Sequence, residues 1–468
     1  MTHDLLTALA PGLAAAGLAV MLTPLLRHDR TPARMLMVGV GLLLLLRYFH
    51  WRVTSTLPPV GWTADFAAGS IFLVAEAASL SAAILASIFL CRTRNRSPEV
   101  EANKAWLASL EPPLVDVLIC TYNEEEAILE RTIIGATGMN HGNYRVWVLD
   151  DGRRPWLEEL SQRLGCRYLT RPDNSHAKAG NINHALAHLA TLPDPPAFIS
   201  ILDADFVPLP DFLPRALCLF RDPGVGLVQT PQHFINPDPI QTNLAAAHVW
   251  PDEQRFFFDV VLASKDAWGA AFCCGTSSVI RFEPLMRIGG FPTDSVTEDY
   301  LLTLRLKEKG FTTAYLNEPL TLGLAPEGLK EYITQRGRWC LGFMQITRGR
   351  SGPFSRTSSL TFIDRLSLVD TFLNWTAVYI AKLLGLLVPI GYLLFGIHTV
   401  DANLYDLLGY FLPFFLWHSV TMSWISRGRS LVFMTDVSQF IAAPAILKAV
   451  FTGLLRPRNQ KFKVTAIK

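Results

Sequence analysis

Long apolar runs gather at the two ends of the chain and enclose a stretch in which apolar and polar positions alternate. Residues 5–25 carry no charge and run for about 20 residues, enough for a helix to cross roughly 30 Å of hydrocarbon. A secretory signal peptide is the competing reading of this run. It would need a basic stretch in front, which is missing, and two further apolar runs at 35–51 and 66–91 follow at once. Arg27, Arg30 and Arg34 fill the first connection and Arg92, Arg94 and Arg96 follow the third run, whereas residues 54–65 lack Lys and Arg. The positive-inside rule then predicts an N-terminus outside and residue 92 onward in the cytoplasm. Glu76, in the middle of the third run, must face protein or a watery cavity.

From about residue 97 to 364 the pattern changes. Short β-rich runs at 115–120, 145–149 and 197–202 are separated by helical and turn segments, which predicts an α/β domain with a largely parallel sheet. Apolar spans return at 371–397 and 404–425, joined by a loop containing Asp401. Residues 431–455 are interrupted by Asp436 and Lys448 and contain Pro444. They read as an interfacial helix, with a third C-terminal span as the alternative. The resulting division is 1–96 for N-terminal membrane helices, 97–365 for a cytosolic domain, 366–430 for C-terminal membrane helices and 431–468 for an interfacial helix and tail.

Composition sharpens this picture. Half of the residues are apolar and 18% are charged, below the roughly 25% usual in soluble domains, so part of the chain belongs in a membrane. A net charge of +2 gives no reason to expect a nucleic-acid partner. The seven cysteines form no CxxC pair and read as reduced thiols.

The candidate chemistry is acidic and lies at strand ends. The run VWVLDDG puts Asp150 and Asp151 beyond a buried strand, where open α/β sheets bind ligands, although an Asp-Gly there also serves as a plain turn. ISILDAD ends the same way, and period-two geometry aims Asp203 and Asp205 to one side of their strand, placed for a hard divalent cation. Lys178 and Gly180 open a helical segment suited to a diphosphate, or to a solvated lysine in a loop. Tyr122 and Glu124 could close over a base or ribose, or form a polar loop with a cap. Glu298 and Asp299 stand in the first turn of another helix, where acidic residues are also routine. Gln335, Arg338 and Trp339 share one helical face, fit either for a diphosphate and a sugar ring or for a membrane surface. The histidines form no HxH or HExxH arrangement.

In order, TYNEE, DDG, HAKAGN, DAD, QTPQHF, FCCGT, TED and QRGRW resemble the processive family-2 glycosyltransferases of the cellulose synthase type, over about residues 110–350. The resemblance implies a GT-A domain inserted between membrane-helix bundles of the bacterial inner membrane, on the cytoplasmic side. It implies transfer of glucose from UDP-glucose to a growing β-glucan, β-1,4 favoured, fed toward a channel. Thr121, Tyr122, Glu124 and Asp151 would hold the uridine, Lys178 the diphosphate, and Asp203 with Asp205 the ribose and Mg²⁺ or Mn²⁺. Asp299 would be the general base, in a catalytic acidic set with Asp150 and Asp151. Arg338, in the Gln335–Trp339 run with Gln335 and Arg336 as further substrate contacts, would neutralise the leaving diphosphate, and Trp339 would support the acceptor sugar. Cys274 and Gly275 would line the acceptor end. One base without a carboxylate nucleophile implies inversion.

Phe462, Val464 and Thr465 resemble the family's FxVTxK gating loop, with Lys468 one position late. Family members usually continue further, so the chain is either a fragment or a branch without those parts. No cyclic-di-GMP domain is expected within it, while an accessory periplasmic or membrane subunit fits the family pattern. Rival readings are a β-1,3 or mixed-linkage glucan synthase, a non-catalytic membrane subunit that keeps the nucleotide fold, and a transporter. The transporter explains the spans but not the acidic motifs between them.

Overall fold

The computed structural model describes residues 2–430 and 432–457. It divides into two compact units, Met1–Thr93 with Val369–Leu447 and Arg94–Leu368 with Lys448–Lys468. The first unit begins with helices α1 (Thr2–Leu22), α2 (Thr31–Ser55) and α3 (Ala64–Leu90).

The second unit is built on a seven-stranded mixed sheet. Its strands are β1 (Val115–Thr121), β2 (Tyr144–Asp150), β3 (Arg167–Leu169), β4 (Phe198–Asp203), β5 (Val225–Gln229), β6 (Ser278–Arg281) and β7 (Thr312–Tyr315). The spatial order is β3-β2-β1-β4-β6-β5-β7. The first four run parallel, β6 is antiparallel to both of its neighbours, and β7 is parallel to β5.

Every residue of β1 is buried, because both faces of the sheet are covered, and this is why the strand reads as a continuous apolar run. Alternation along it sends Val115, Val117 and Ile119 into one core and Leu118 and Cys120 into the other. The exception is Asp116, directly opposite Arg145 on β2. Its carboxylate accepts from that guanidinium at 2.6 and 2.7 Å and from the Trp147 indole at 2.9 Å, so the buried charge is paired and hydrogen-bonded.

The register aligns the functional ends. Thr121 pairs with Asp150 and Cys120 with Asp203, so β1, β2 and β4 stop at one level. Because β6 enters antiparallel with Ser278 opposite Ile201, the preceding 272–276 segment arrives at that same edge. The Thr276 hydroxyl accepts there from the Asp203 backbone amide at 2.9 Å. Helices α4 (Ala177–Leu189), α5 (Glu298–Glu308) and α6 (Leu329–Arg348) complete the parts that carry the sequence motifs.

The C-terminal helices are α7 (Phe362–Trp375), α8 (Ala377–Phe395), α9 (Leu404–Ser426) and α10 (Val432–Leu455). Among the described residues, five segments are long and apolar enough to cross a bilayer: Asp4–Leu22, Thr31–Ser55, Ala64–Leu90, Phe362–Phe395 and Thr435–Leu455. The last is the run read from sequence as interfacial, with a span as the alternative; Asp436 and Lys448 are its only charges. The helix α9, read as a span, is not among the five. Its polar and aromatic side chains dilute its apolar character, yet it packs along α1 and α2, and the Trp417 indole donates to the Met37 carbonyl at 2.7 Å. Glu76 is satisfied inside its helical unit by the Tyr48 hydroxyl and the Arg52 guanidinium, the latter at 2.8 Å. All seven cysteines are free.

Candidate active site

Beyond the carboxyl ends of β1, β2 and β4 lies an open cleft of about 1660 Å³. Thr121, Tyr122, Glu124, Asp151, Lys178, Asp203, Asp205, Cys274, Gly275, Asp299, Gln335, Arg338 and Trp339 all line it. Asp150 and Arg336 do not, and Thr465 lies outside the described residues.

The β1 end is a tightly organised turn. One Glu124 carboxylate oxygen accepts from the Thr121 hydroxyl at 2.6 Å, the Tyr122 amide at 2.8 Å and the Asn123 amide at 3.2 Å. The Tyr122 side chain is left exposed. Asp150 supports this turn from behind. It accepts from the Gly152 and Arg154 amides, the Arg154 guanidinium and the Tyr168 hydroxyl, while Arg154 also donates to the Thr121 hydroxyl and the Glu124 carbonyl. With no exposed surface and its acceptor capacity so used, Asp150 is a scaffold group rather than the catalytic one expected from sequence. Its neighbour Asp151 does reach the cleft and is gripped at both oxygens by Arg171, at 2.6 and 2.7 Å.

Lys178, in the first turn of α4, ties three elements together. Its ammonium is ion-paired with Asp203 at the end of β4 and donates to the Gly275 carbonyl at 2.7 Å. Burial alone would lower its pKa, but the charges of Asp203 and Glu298 and the hydrogen bond to Asp203 together outweigh it and hold the lysine protonated. At the start of this helix, His176 and Ala177 stand at φ 61° and 45° and both line the cleft. Such left-handed non-glycine residues commonly mark functional sites.

β4 stops at Asp203, and Asp205 belongs to the following turn. The strand-period reason for placing both carboxylates together therefore does not apply, although both reach the cleft. Burial and then the Asp203 charge push the Asp205 carboxyl up to about 8. Two crowded carboxylates of this kind are hard oxygen donors whose repulsion a divalent cation would relieve. Among the described residues no cluster of three or more His, Cys, Asp or Glu forms a metal cage. A cation here would need further oxygens from a ligand.

The first turn of α5 faces this group. Asp299 accepts from the Tyr300 amide at 2.8 Å. Burial raises its pKa, while Lys178 and Arg338 pull it down. Burial and the Asp299 charge push neighbouring Glu298 up to about 7. The 272–276 segment is held by Gln229, whose amide accepts from the Cys274 amide and donates to the Thr276 carbonyl, both at 2.8 Å, and by Gln232, which donates to the Cys274 carbonyl. On α6, Gln335, Arg338 and Trp339 point into the cleft from one face. Arg336 turns away onto the rings of Tyr332 and Trp339, 4.1 and 4.9 Å from their centroids. This stacking with neighbours on its own helix takes it out of the set expected to meet substrate.

The sequence reading missed Arg154, Arg171, Asn174, Gln232 and Gln345. Arg154 lies within the DDG neighbourhood and was legible as its basic partner, and Gln232 lies within QTPQHF; Arg171, Asn174 and Gln345 have no local signal.

Residues 112–342 match the protein family described as "Glycosyltransferase like family 2". Cellulose synthase 1 of Komagataeibacter xylinus is 36% identical over 425 residues, covering 90% of this chain and 26% of the relative. Residues 112–342 are a family-2 glycosyltransferase domain. A "Cellulose synthase catalytic subunit [UDP-forming]" of Pseudomonas fluorescens is 35% identical over 456 residues, 96% of this chain and 60% of that protein. The chain therefore spans less than two thirds of these relatives. A mannosyltransferase from Pyrobaculum calidifontis, solved with GDP-Man and Mn²⁺, superposes with a TM-score of 0.55 at 18% identity, covering 84% of this chain and all of that one. The glycosyltransferase domain has the GT-A fold, with helical segments on both sides that are candidate membrane spans.

Proposed function

We propose that the chain is an inverting, processive glycosyltransferase that adds glucose from UDP-glucose to a growing β-glucan, with β-1,4 linkage favoured, and feeds the product toward a transmembrane channel. The observation that carries this reading is the convergence of Asp299, the Lys178–Asp203–Asp205 group and the Gln335–Arg338–Trp339 face on one cleft. The UDP-forming name of the Pseudomonas relative supports the donor. The protein would lie in the bacterial inner membrane with its GT-A domain in the cytoplasm, where the donor is made, and with room for an accessory subunit.

In this mechanism Thr121, Tyr122, Glu124 and Asp151 hold the nucleoside. Asp203 and Asp205 fit Mg²⁺ or Mn²⁺, which would supply charge stabilisation on the departing diphosphate. Asp299 accepts the proton of the acceptor hydroxyl as its oxygen attacks the anomeric carbon. The bond from that carbon to the diphosphate breaks, the electron pair leaves with UDP, and Lys178 and Arg338 offset the developing charge. Trp339 presents an aromatic face for the acceptor sugar. A single displacement turns an α-linked donor into a β-linked product.

The test uses membranes containing the chain, labelled UDP-glucose and Mg²⁺, with linkage-specific glucanase digestion of insoluble product. Digestible polymer is expected, and Asp299→Asn is expected to lower transfer by on the order of 100-fold or more while UDP binding stays within about twofold. UDP binding with no polymer under any added β-glycan acceptor would favour a non-catalytic subunit. Polymer resistant to a β-1,4 enzyme but cut by a β-1,3 enzyme would replace the linkage.

A further inference from the structure

Gln345 lies on α6, one turn beyond Gly342, is buried and lines the cleft. Its side-chain oxygen accepts from the Val296 amide at 2.9 Å, and its nitrogen donates to the Pro457 carbonyl at 2.8 Å. A backbone N–H can only donate and a carbonyl can only accept, so these two partners fix which end of the amide is which. Val296 stands three residues before Asp299. One side chain thus joins the segment that presents the acidic turn to a stretch of chain more than a hundred residues further on.

The surroundings make this a stack rather than an isolated pair of bonds. The Ser295 hydroxyl donates to the Gly342 carbonyl at 2.9 Å and accepts from the Thr297 amide at 3.1 Å. A Cβ on Gly342 would stand 2.3 Å from the Thr297 hydroxyl, so the turn rests directly on the helix backbone. From the other side Gly453, near the end of α10, comes so close that its Cβ would lie 2.5 Å from that of Met344. Residues 341–345 of α6 are clasped between the acidic turn and the C-terminal stretch.

We propose that Gln345 is a positioning residue that couples the placement of the Asp299 carboxylate to the chain at Arg456–Pro457, so that displacement of the C-terminal stretch is felt at the base. The proposal rests on the reading of Asp299 given above. Gln345 touches neither sugar nor diphosphate in it; its effect runs through the Val296 amide and the backbone that leads to Asp299.

The test uses the full chain in detergent or nanodiscs, with Gln345→Glu and Gln345→Met. The glutamate, assayed at alkaline pH where it is ionised, keeps an acceptor for Val296 but cannot donate to Pro457; the methionine removes both bonds at similar length. UDP release gives kcat and KM for UDP-glucose, and hydrogen exchange reports on peptides spanning 293–300 and 448–457. Coupling predicts a kcat loss of about tenfold for both variants with KM within about twofold. In Gln345→Glu it also predicts faster exchange in 293–300, although that segment's own bond is retained. Faster exchange confined to 448–457 with kcat unchanged would overturn the proposal, as would a loss of thermal stability alone. If the wild-type chain releases no UDP, the functional reading falls, and the exchange comparison still decides whether the two segments are coupled. Should Gln345→Met fail to fold, Gln345→Glu carries the decision.

Discussion

The Asp299 carboxylate fills the space in which any residue other than glycine at position 275 would carry its Cβ, which would stand 2.9 Å from Oδ2. Gly275 is at φ +88°, and its carbonyl also receives the Lys178 ammonium. One glycine therefore sets the distance between the candidate base and the lysine–carboxylate pair. Gly275→Ala is expected to cost about 1 kcal/mol or more in backbone strain and to lower kcat by on the order of 100-fold by displacing Asp299. Thermal melts and UDP-release rates on the purified variant check both parts; wild-type turnover would remove Asp299 from the reacting centre.

The pH dependence follows from the surroundings of Asp299. Burial raises its pKa, and a base works only when deprotonated, so activity should climb with pH along an acidic limb lying above the ordinary carboxylate range. Arg338 is one of two cations that pull this pKa down. Arg338→Ala should move the limb to higher pH as well as lower the maximal rate. A profile of kcat/KM against pH for both proteins measures the displacement; an unmoved limb would assign the ionisation to another group.

Glu298 offers a stability test. Its carboxyl is held at about 7 in the folded protein, against about 4.3 for an unperturbed glutamate. The folded state thus binds the proton more tightly, so the contribution of this group to stability falls as pH rises from the unfolded value through about 7, and the penalty is full above that. Glu298→Gln should raise the melting temperature at pH 8 and change it little at pH 5. A gain of equal size at both values would mean that the carboxyl does not titrate in this window.

Asp150 should behave as a scaffold group. It is fully buried and paired with Arg154, and removing one partner of such a pair typically costs about 3–5 kcal/mol. Asp150→Ala should therefore reduce stability by that order. Nucleotide binding at low temperature should also weaken, because Arg154 holds the Thr121–Glu124 turn. Denaturant titration and UDP binding by calorimetry are the measurements.

Much of this arrangement is legible in the sequence because the parallel strands are buried on both faces. The runs at 115–120, 145–149 and 197–202 stand out as apolar and end in the residues that reach the cleft. What separates Asp150 from Asp151 is not legible. The two are adjacent, and only the turn after β2 decides that one meets Arg154 and Tyr168 while the other meets Arg171. The same holds for Asp205, which lies past the strand end, so periodicity gave the right neighbourhood for the wrong reason. Arg336 and Arg338 share a motif, yet the aromatic rings along the helix draw only the first away from the cleft. Gln345 lies beyond any motif, and its partners are far away along the chain. The helical ends show a similar limit: length and apolarity single out 435–455 as well as the three N-terminal runs, whereas α9 owes its place to packing on α1 and α2.

The Glu76–Arg52–Tyr48 group bears on how the protein is made. Neither α2 nor α3 alone offers lipid a fully neutral surface, since each brings one member of the ion pair, and an intramembrane charge is costly unless partnered. Joined by a short loop, the two helices can cancel these charges as soon as both have emerged from the ribosome. Biogenesis should then favour their entry into the bilayer as a hairpin, with Glu76 serving as the clasp that makes the second helix a condition for comfortable residence of the first.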